Sequence, residues 1–238
     1  MEPFLHTITS FPTVPLTVIL GVVVGYWIFA LVTGVTHDVD ADAAKVERAG
    51  RVAEAIVAHA GPLAGLRALE YGCGTGLLGF ALRPHLAHLT LADSSRGMLA
   101  VLREKIAACG AADMTPLELD LTAGPGPAAV FDLVCTLMTL HHIPDIDGIL
   151  ERFRDLLVPG GRLCVAALDT EDGSFHGPEV QVHKGFDRGE LAARMVRAGF
   201  EDIRFSTPYA IRRVSSTGPE TFPLFLAVAT KQRTSRSR

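Results

Sequence analysis

A chain of 238 residues is long enough for one α/β domain with a sizeable buried core and too short for two domains of average size. Its formal net charge of -4 and isoelectric point near 6.1 argue against a nucleic-acid partner. A polyanion binder carries a basic face, and no basic cluster occurs outside the last few residues. The four cysteines, Cys73, Cys109, Cys135 and Cys164, are scattered without a C-x-x-C pair, which disfavours zinc, redox motifs and a disulfide framework and fits reduced cytosolic thiols.

The mean hydropathy of +0.30 is high for a soluble enzyme, and much of the excess sits at the amino terminus. No formally charged side chain occurs between Glu2 and Asp38, and Val14 to Val35 is nearly all apolar. Roughly 20 apolar residues in a helix cross a bilayer core. Residues 1–36 therefore read as a hydrophobic segment with a transmembrane helix over about residues 14–35. A buried core helix is the alternative. A secretory leader fits less well, since no basic residue precedes a stretch that exceeds the usual signal core. Lys45, Arg48 and Arg51 follow closely, which places the remainder on the cytoplasmic side of a single-pass anchor in the cytoplasmic membrane.

Residues 37–232 read as one domain. Apolar residues recur at helical spacing from Ala41 to Ala60 (Val46, Ala49, Val52, Ala53, Ile56, Val57), and Gly61-Pro62 stops that helix. Short apolar runs then alternate with amphipathic stretches. The pattern predicts strands at Leu66–Tyr71, His88–Asp93, Thr115–Leu121, Phe131–Thr136, Arg162–Leu168, Ile203–Pro208 and Leu224–Thr230. It predicts helices at Gly76–Arg83, Arg96–Cys109, Ile146–Leu157 and Arg188–Ala198, with a Gly/Pro-rich loop from Ala123 to Pro127. Such a β-then-α succession makes a parallel sheet with helices on both faces. The last two strands lack a helix between them and can pair antiparallel. The polar tail 233–238 is expected to be disordered.

The sharpest local signal is Glu70-Tyr71-Gly72-Cys73-Gly74-Thr75-Gly76, which follows a strand and opens a helix. Glycines there permit a tight turn and close approach of a ligand to the backbone. Taken alone, the loop is a generic nucleotide or cofactor crevice, and Gly74-x-Gly76-x-x-Gly79 also satisfies the dinucleotide pattern. Other residues follow it in order: Asp93 closing the second strand, Asp120 closing the third, Phe131-Asp132-Leu133-Val134, Leu140-His141-His142-Ile143, and Leu157 to Leu163 around Pro159-Gly160-Gly161. In this order they resemble motif I and its sequels in class I S-adenosylmethionine-dependent methyltransferases, with a closer likeness to C-methyltransferases of quinone biosynthesis.

That resemblance implies a Rossmann-like, seven-stranded, mostly parallel sheet with helices on both faces and an antiparallel last strand. It implies S-adenosyl-L-methionine as cofactor. Asp93 would accept hydrogen bonds from the ribose hydroxyls, with Ser94 beside it. Asp120 would meet the adenine amino group, with Leu121 as a backbone donor and Met98 over the ring face. Glu70, with Gly72, Cys73, Gly74 and Gly76, would hold the amino-acid end, and the carbonyl of Thr136 would meet its ammonium. Structural roles compete at several positions: Asp93 as a strand-end acid capping the next helix, Met98 as core, Glu70 as a purely structural carboxylate.

Methyl transfer from a sulfonium is an in-line displacement in which alignment matters most. A general base is needed only if the acceptor must lose a proton. Candidate bases or acceptor contacts are His141 and His142, beyond the fourth strand, and His176 and His183, between the fifth strand and the next helix. No spacing suggests a metal. The expected partner is a small, apolar methyl acceptor, with the membrane contacted through the N-terminal helix; oligomeric state is not legible. Two rivals remain, a nicotinamide-dependent oxidoreductase built on the same glycines and Asp93, and a non-catalytic cofactor-binding module.

Overall fold

The computed structural model describes residues 40, 42–176, 181–215 and 218–233. The expected membrane helix and nearly all of the polar tail lie outside these. Among the described residues no helix is long and apolar enough to cross a membrane.

The first helix, α1, runs from Ala43 to His59. Asp42 caps it, its carboxylate accepting from the N–H groups of Ala44 at 3.0 Å and Lys45 at 3.4 Å, which satisfies donors that lack an intrahelical partner. Four more helices follow: α2 (Leu77–Leu82), α3 (Arg96–Cys109), α4 (Ile146–Asp155) and α5 (Arg188–Arg197). Ser95, Asp145 and Asp187 cap α3, α4 and α5 in the same way. The strands are β1 (Arg67–Tyr71), β2 (His88–Asp93), β3 (Met114–Glu118), β4 (Phe131–Leu137), β5 (Leu157–Leu168), β6 (Phe200–Ser215) and β7 (Gly218–Lys231).

They form one seven-stranded sheet in the order β3-β2-β1-β4-β5-β7-β6. The first five strands are parallel, and β7 runs antiparallel to both β5 and β6. Helices cover both faces. On one, α1, α2 and α3 bury Ile56, Leu82 and Leu102 against Leu91, Leu133 and Cys164. On the other, α4 and α5 bury Phe153 and Met195 against Leu69, Val134 and Phe225. The alternation within β5 shows why: Leu163, Val165 and Ala167 face one core, Cys164 and Ala166 the other.

Three boundaries depart from the sequence expectation. β3 stops at Glu118, three residues early, so Asp120 and Leu121 lie in the loop beyond it. β5 begins at Leu157 and passes through Pro159-Gly160-Gly161 as an irregularity opposite Phe131–Leu133, where a helix stop had been read. The β6–β7 hairpin is about twice as long as its hydropathy suggests, with 16 and 14 residues. Its outer part carries Arg212, Arg213 and Glu220, so ladder pairing rather than an apolar pattern defines it.

Candidate cofactor and acceptor site

β1 lies between β2 and β4, so the crossovers to its two neighbours leave in opposite directions and open a crevice at the carboxyl ends of the strands. The glycine loop fills the near side. Gly72 and Cys73 donate to the carbonyl of Ala92 at 2.8 and 3.0 Å, fastening the loop to β2. Gly72 has φ +71, and a Cβ there would overlap the Thr139 side chain. Gly76 caps α2 at φ +85, where a Cβ would lie 2.8 Å from Leu102 Cδ1. Both positions therefore require glycine.

Asp93 is buried at the end of β2. One carboxylate oxygen accepts from Gly74 N–H and the other from Ser95 N–H, each at 2.8 Å. Burial raises its pKa, and these backbone donors oppose the rise. The helix-side capping weighed above is thus present, yet each oxygen keeps a lone pair for another donor. Glu70 is buried one strand over; one of its carboxyl oxygens has no hydrogen-bond partner, and burial pushes its pKa up to about 8.

A cavity of about 580 Å³ opens above these residues. Of the expected site residues, Glu70, Gly72, Cys73, Gly74, Asp93, Ser94, Asp120 and His142 line it. The others do not. Gly76 turns the backbone beneath the loop. Met98 is buried, and the cavity wall at that end of α3 is made by residues 94–97. Leu121 is buried and its N–H already donates to the Tyr71 hydroxyl at 3.2 Å, so it is not the free backbone donor expected for adenine. The Thr136 side chain is buried within β4, which continues to Leu137, so the wall begins at Leu137.

The histidines separate as well. The rings of His141, His142 and His176 cluster at tilted to edge-on angles, with centroids 4.1 Å apart for the first two, 4.7 Å for His141–His176 and 5.8 Å for His142–His176. His141 is buried beneath the site; burial first, and then the neighbouring imidazoles, pull its pKa down to about 2. Burial lowers His142 and His176 as well. His183 stands apart, its Nε2 3.0 Å from the Ile143 carbonyl and its N–H on the His141 carbonyl, so it braces the turn after β4. Among the described residues no group of His, Cys, Asp and Glu forms a metal site.

Several contributors carried no sequence signal. Lys45 and Arg48 reach the cavity from α1. Met138 lines it in a left-handed conformation at φ +54, an unusual state for a residue with a side chain. Lys105 of α3 pairs with Asp40 at 2.7 Å and donates to the Thr75 carbonyl at 2.7 Å, while Thr75 Oγ1 donates to Asp40 at 2.6 Å. This triangle holds the glycine loop from behind. Such contacts depend on which helix faces which loop, a matter that spacing along the chain does not encode.

A buried carboxyl bordering the cavity, a glycine cradle and a second carboxylate with spare lone pairs suit a ligand with a cationic end and vicinal hydroxyls. Comparisons with known proteins agree. Residues 69–163 match the family described as "Methyltransferase domain". The chain is 34% identical over 161 residues to a ubiquinone biosynthesis O-methyltransferase of Xylella fastidiosa, covering 60% of this chain and 64% of that protein. It is 36% identical over 118 residues to the enzyme of that name from Marinobacter nauticus, covering 48% of each. The match thus spans less than two thirds of either relative, and both are named for methylation on oxygen, whereas the resemblance above ran to carbon-methylating enzymes. In structure, the chain matches the N-methyltransferase NodS of Bradyrhizobium japonicum, in complex with S-adenosyl-L-homocysteine, with a TM-score of 0.67 at 15% identity over 89% of this chain and 99% of that one. With its motifs in order and its sheet in this topology, the chain is similar to class I S-adenosylmethionine-dependent methyltransferases, and residues 69–163 match a methyltransferase domain.

Proposed function

We propose that this protein transfers a methyl group from S-adenosyl-L-methionine to a small acceptor by in-line displacement. The observation that carries the reading is the carboxylate of Asp93, buried at a strand end, bonded to the glycine loop and still open to the cavity. When bound, the cofactor supplies an activated methyl on a positively charged sulfur. The protein's part is position. Asp93, with Ser94, holds the ribose; Asp120, already fixed by the N–H and hydroxyl of Thr122 at 2.8 and 2.6 Å, faces the adenine amino group. Glu70 and the loop from Gly72 to Gly74 receive the amino-acid end.

The acceptor's apolar body lies against Leu137, Met138 and Ile143, which form the far wall. His142 alone of the four candidate histidines lines the cavity, and its lowered pKa keeps it neutral and able to take a proton from an acceptor that must lose one. His141, His176 and His183 position this wall. The N-terminal segment anchors the domain to the cytoplasmic membrane with the cavity on the cytoplasmic side; the long uncharged apolar run supports this reading.

The test is calorimetric titration of the full chain with S-adenosylhomocysteine and with NAD. Micromolar or tighter binding of the first and none of the second is expected; the reverse would establish the oxidoreductase reading. Transfer of label from S-adenosylmethionine to a metabolite in cell extract then separates an enzyme from a cofactor-binding module, which would transfer none.

A further inference from the structure

Charge is divided across the cavity. Its carboxylates, Glu70, Asp93 and Asp120, come from the ends of β1 and β2 and the loop after β3. Its cations are Arg96 of α3, paired with Glu118 at 2.8 Å, and Lys45 and Arg48 of α1. Lys45 is matched by Asp42 at 3.5 Å. Arg48 has only the longer-range attraction of Asp42. Among the described residues its guanidinium makes no ion pair, and its Nε is buried without a hydrogen bond.

The surrounding groups do not supply the missing acceptor. Asp42 is occupied by Lys45 and by the first N–H groups of α1. Tyr209 turns its hydroxyl to Glu47 at 3.4 Å. Arg213 adds to the positive field and is itself committed elsewhere: it donates to the Phe175 carbonyl and lies 3.8 Å over the Phe175 ring. Leaving a buried guanidinium donor unpaired is costly, and each such atom in a folded protein calls for a partner. The planar fork of an arginine matches a carboxylate through two parallel hydrogen bonds.

We infer that the methyl acceptor bears an anionic group, a carboxylate, which the guanidinium of Arg48 binds on the cavity wall contributed by α1. This rests on the reading that the acidic half of the cavity takes the cofactor. Its location favours the acceptor over the cofactor's own carboxylate. The groups that Arg48 feels electrostatically are Tyr209 and Arg213 on β6, Asp42 at the start of α1 and His141 beyond β4, and Tyr209 packs against the same core cluster as Leu137 and Met138 of the cavity lining. The same cavity offers Leu137, Met138 and Ile143 to an apolar body, so the implied acceptor is amphipathic, with an acid group at one end.

The experiment uses the full chain saturated with S-adenosylhomocysteine, titrated with benzoate, 4-hydroxybenzoate and hexanoate and with the three corresponding amides. At least one acid should bind ten or more times tighter than its amide. That preference should vanish in Arg48→Gln, return in part in Arg48→Lys, and leave S-adenosylhomocysteine affinity within about twofold of the parent. Equal binding of acid and amide, or binding of neither, overturns the inference. So does a tenfold loss of S-adenosylhomocysteine affinity in Arg48→Gln with no change for its decarboxylated analogue, S-adenosyl-3-thiopropylamine, because Arg48 would then hold the cofactor. Should Arg48→Gln unfold, as circular dichroism would show, Arg48→Lys and the acid–amide comparison on the parent decide alone. Failure of the parent to bind S-adenosylhomocysteine would instead sink the methyltransferase reading.

Discussion

At the scale of single residues, two buried carboxyls line the cavity proposed to take the cofactor, and they differ in what binds them. Asp93 already accepts two backbone hydrogen bonds and offers the remaining lone pairs to a ligand. A hydrogen bond to a charged group is worth roughly 1.5–3 kcal/mol. Asp93→Ala should accordingly weaken S-adenosylhomocysteine about tenfold to a hundredfold by calorimetry; unchanged affinity would remove Asp93 from the site. Glu70 is held neutral by burial, with a pKa near 8 against an ordinary 4.5. The folded protein thus keeps a proton there that the unfolded chain releases between those values. Stability owed to this group is full below the lower value and is lost as pH rises through the upper one. Denaturant melts at about pH 5 and about pH 9 should show a larger decline for the parent than for Glu70→Gln. A cationic ligand end beside Glu70 favours its ionised form, so S-adenosylhomocysteine should bind more tightly as pH rises toward 8 and release a proton, a response that Glu70→Gln should lack.

At the scale of elements, α4 does more than cover the sheet. Phe153 is fully buried and meets the Tyr71 ring edge-on at 5.5 Å, while the Tyr71 hydroxyl accepts from Leu121 N–H. A chain of contacts thereby joins α4 to the strand that carries the glycine loop and to the loop after β3. Phe153→Ala should cost about 3–5 kcal/mol of unfolding free energy, as other large-to-small core changes do. It should also loosen S-adenosylhomocysteine binding through Tyr71. Loss of stability with affinity unchanged would show that the two ends of this chain are independent. The β6–β7 hairpin contributes on the opposite side. Its position, with β7 inserted antiparallel between β5 and β6, departs from the 3-2-1-4-5-6 order of dinucleotide-binding sheets and sets Tyr209 and Arg213 beside α1.

At the scale of the whole molecule, carboxylates gather where β1 and β2 end and α1 brings Lys45 and Arg48 to the same cavity, and the described residues that build it include Asp40. Deleting residues through Val35 leaves Asp40 and its contacts to Lys105 and Thr75 in place. The truncated chain should fold, stay in solution and bind S-adenosylhomocysteine within about threefold of the full chain, while the full chain partitions into the membrane fraction. Loss of folding in the truncated chain would show that the apolar segment belongs to the domain core.

The glycine loop, Asp93 at the end of β2, the two helices with clear apolar faces at 43–59 and 96–109, and the antiparallel pairing of the last strands were all legible without coordinates. These features are written locally, in turn chemistry, strand-end position and side-chain periodicity. Tertiary structure decided the rest. It moved Asp120 beyond its strand, occupied the N–H of Leu121, buried Met98 and Thr136, and left His142 alone of four histidines on the cavity. It also brought Arg48 from α1 and Arg213 from β6 within electrostatic reach of each other, although 165 residues separate them in the chain. Which lone pairs remain free, and which charges remain unmatched, follows from packing between distant elements, and no pattern within a single segment encodes it.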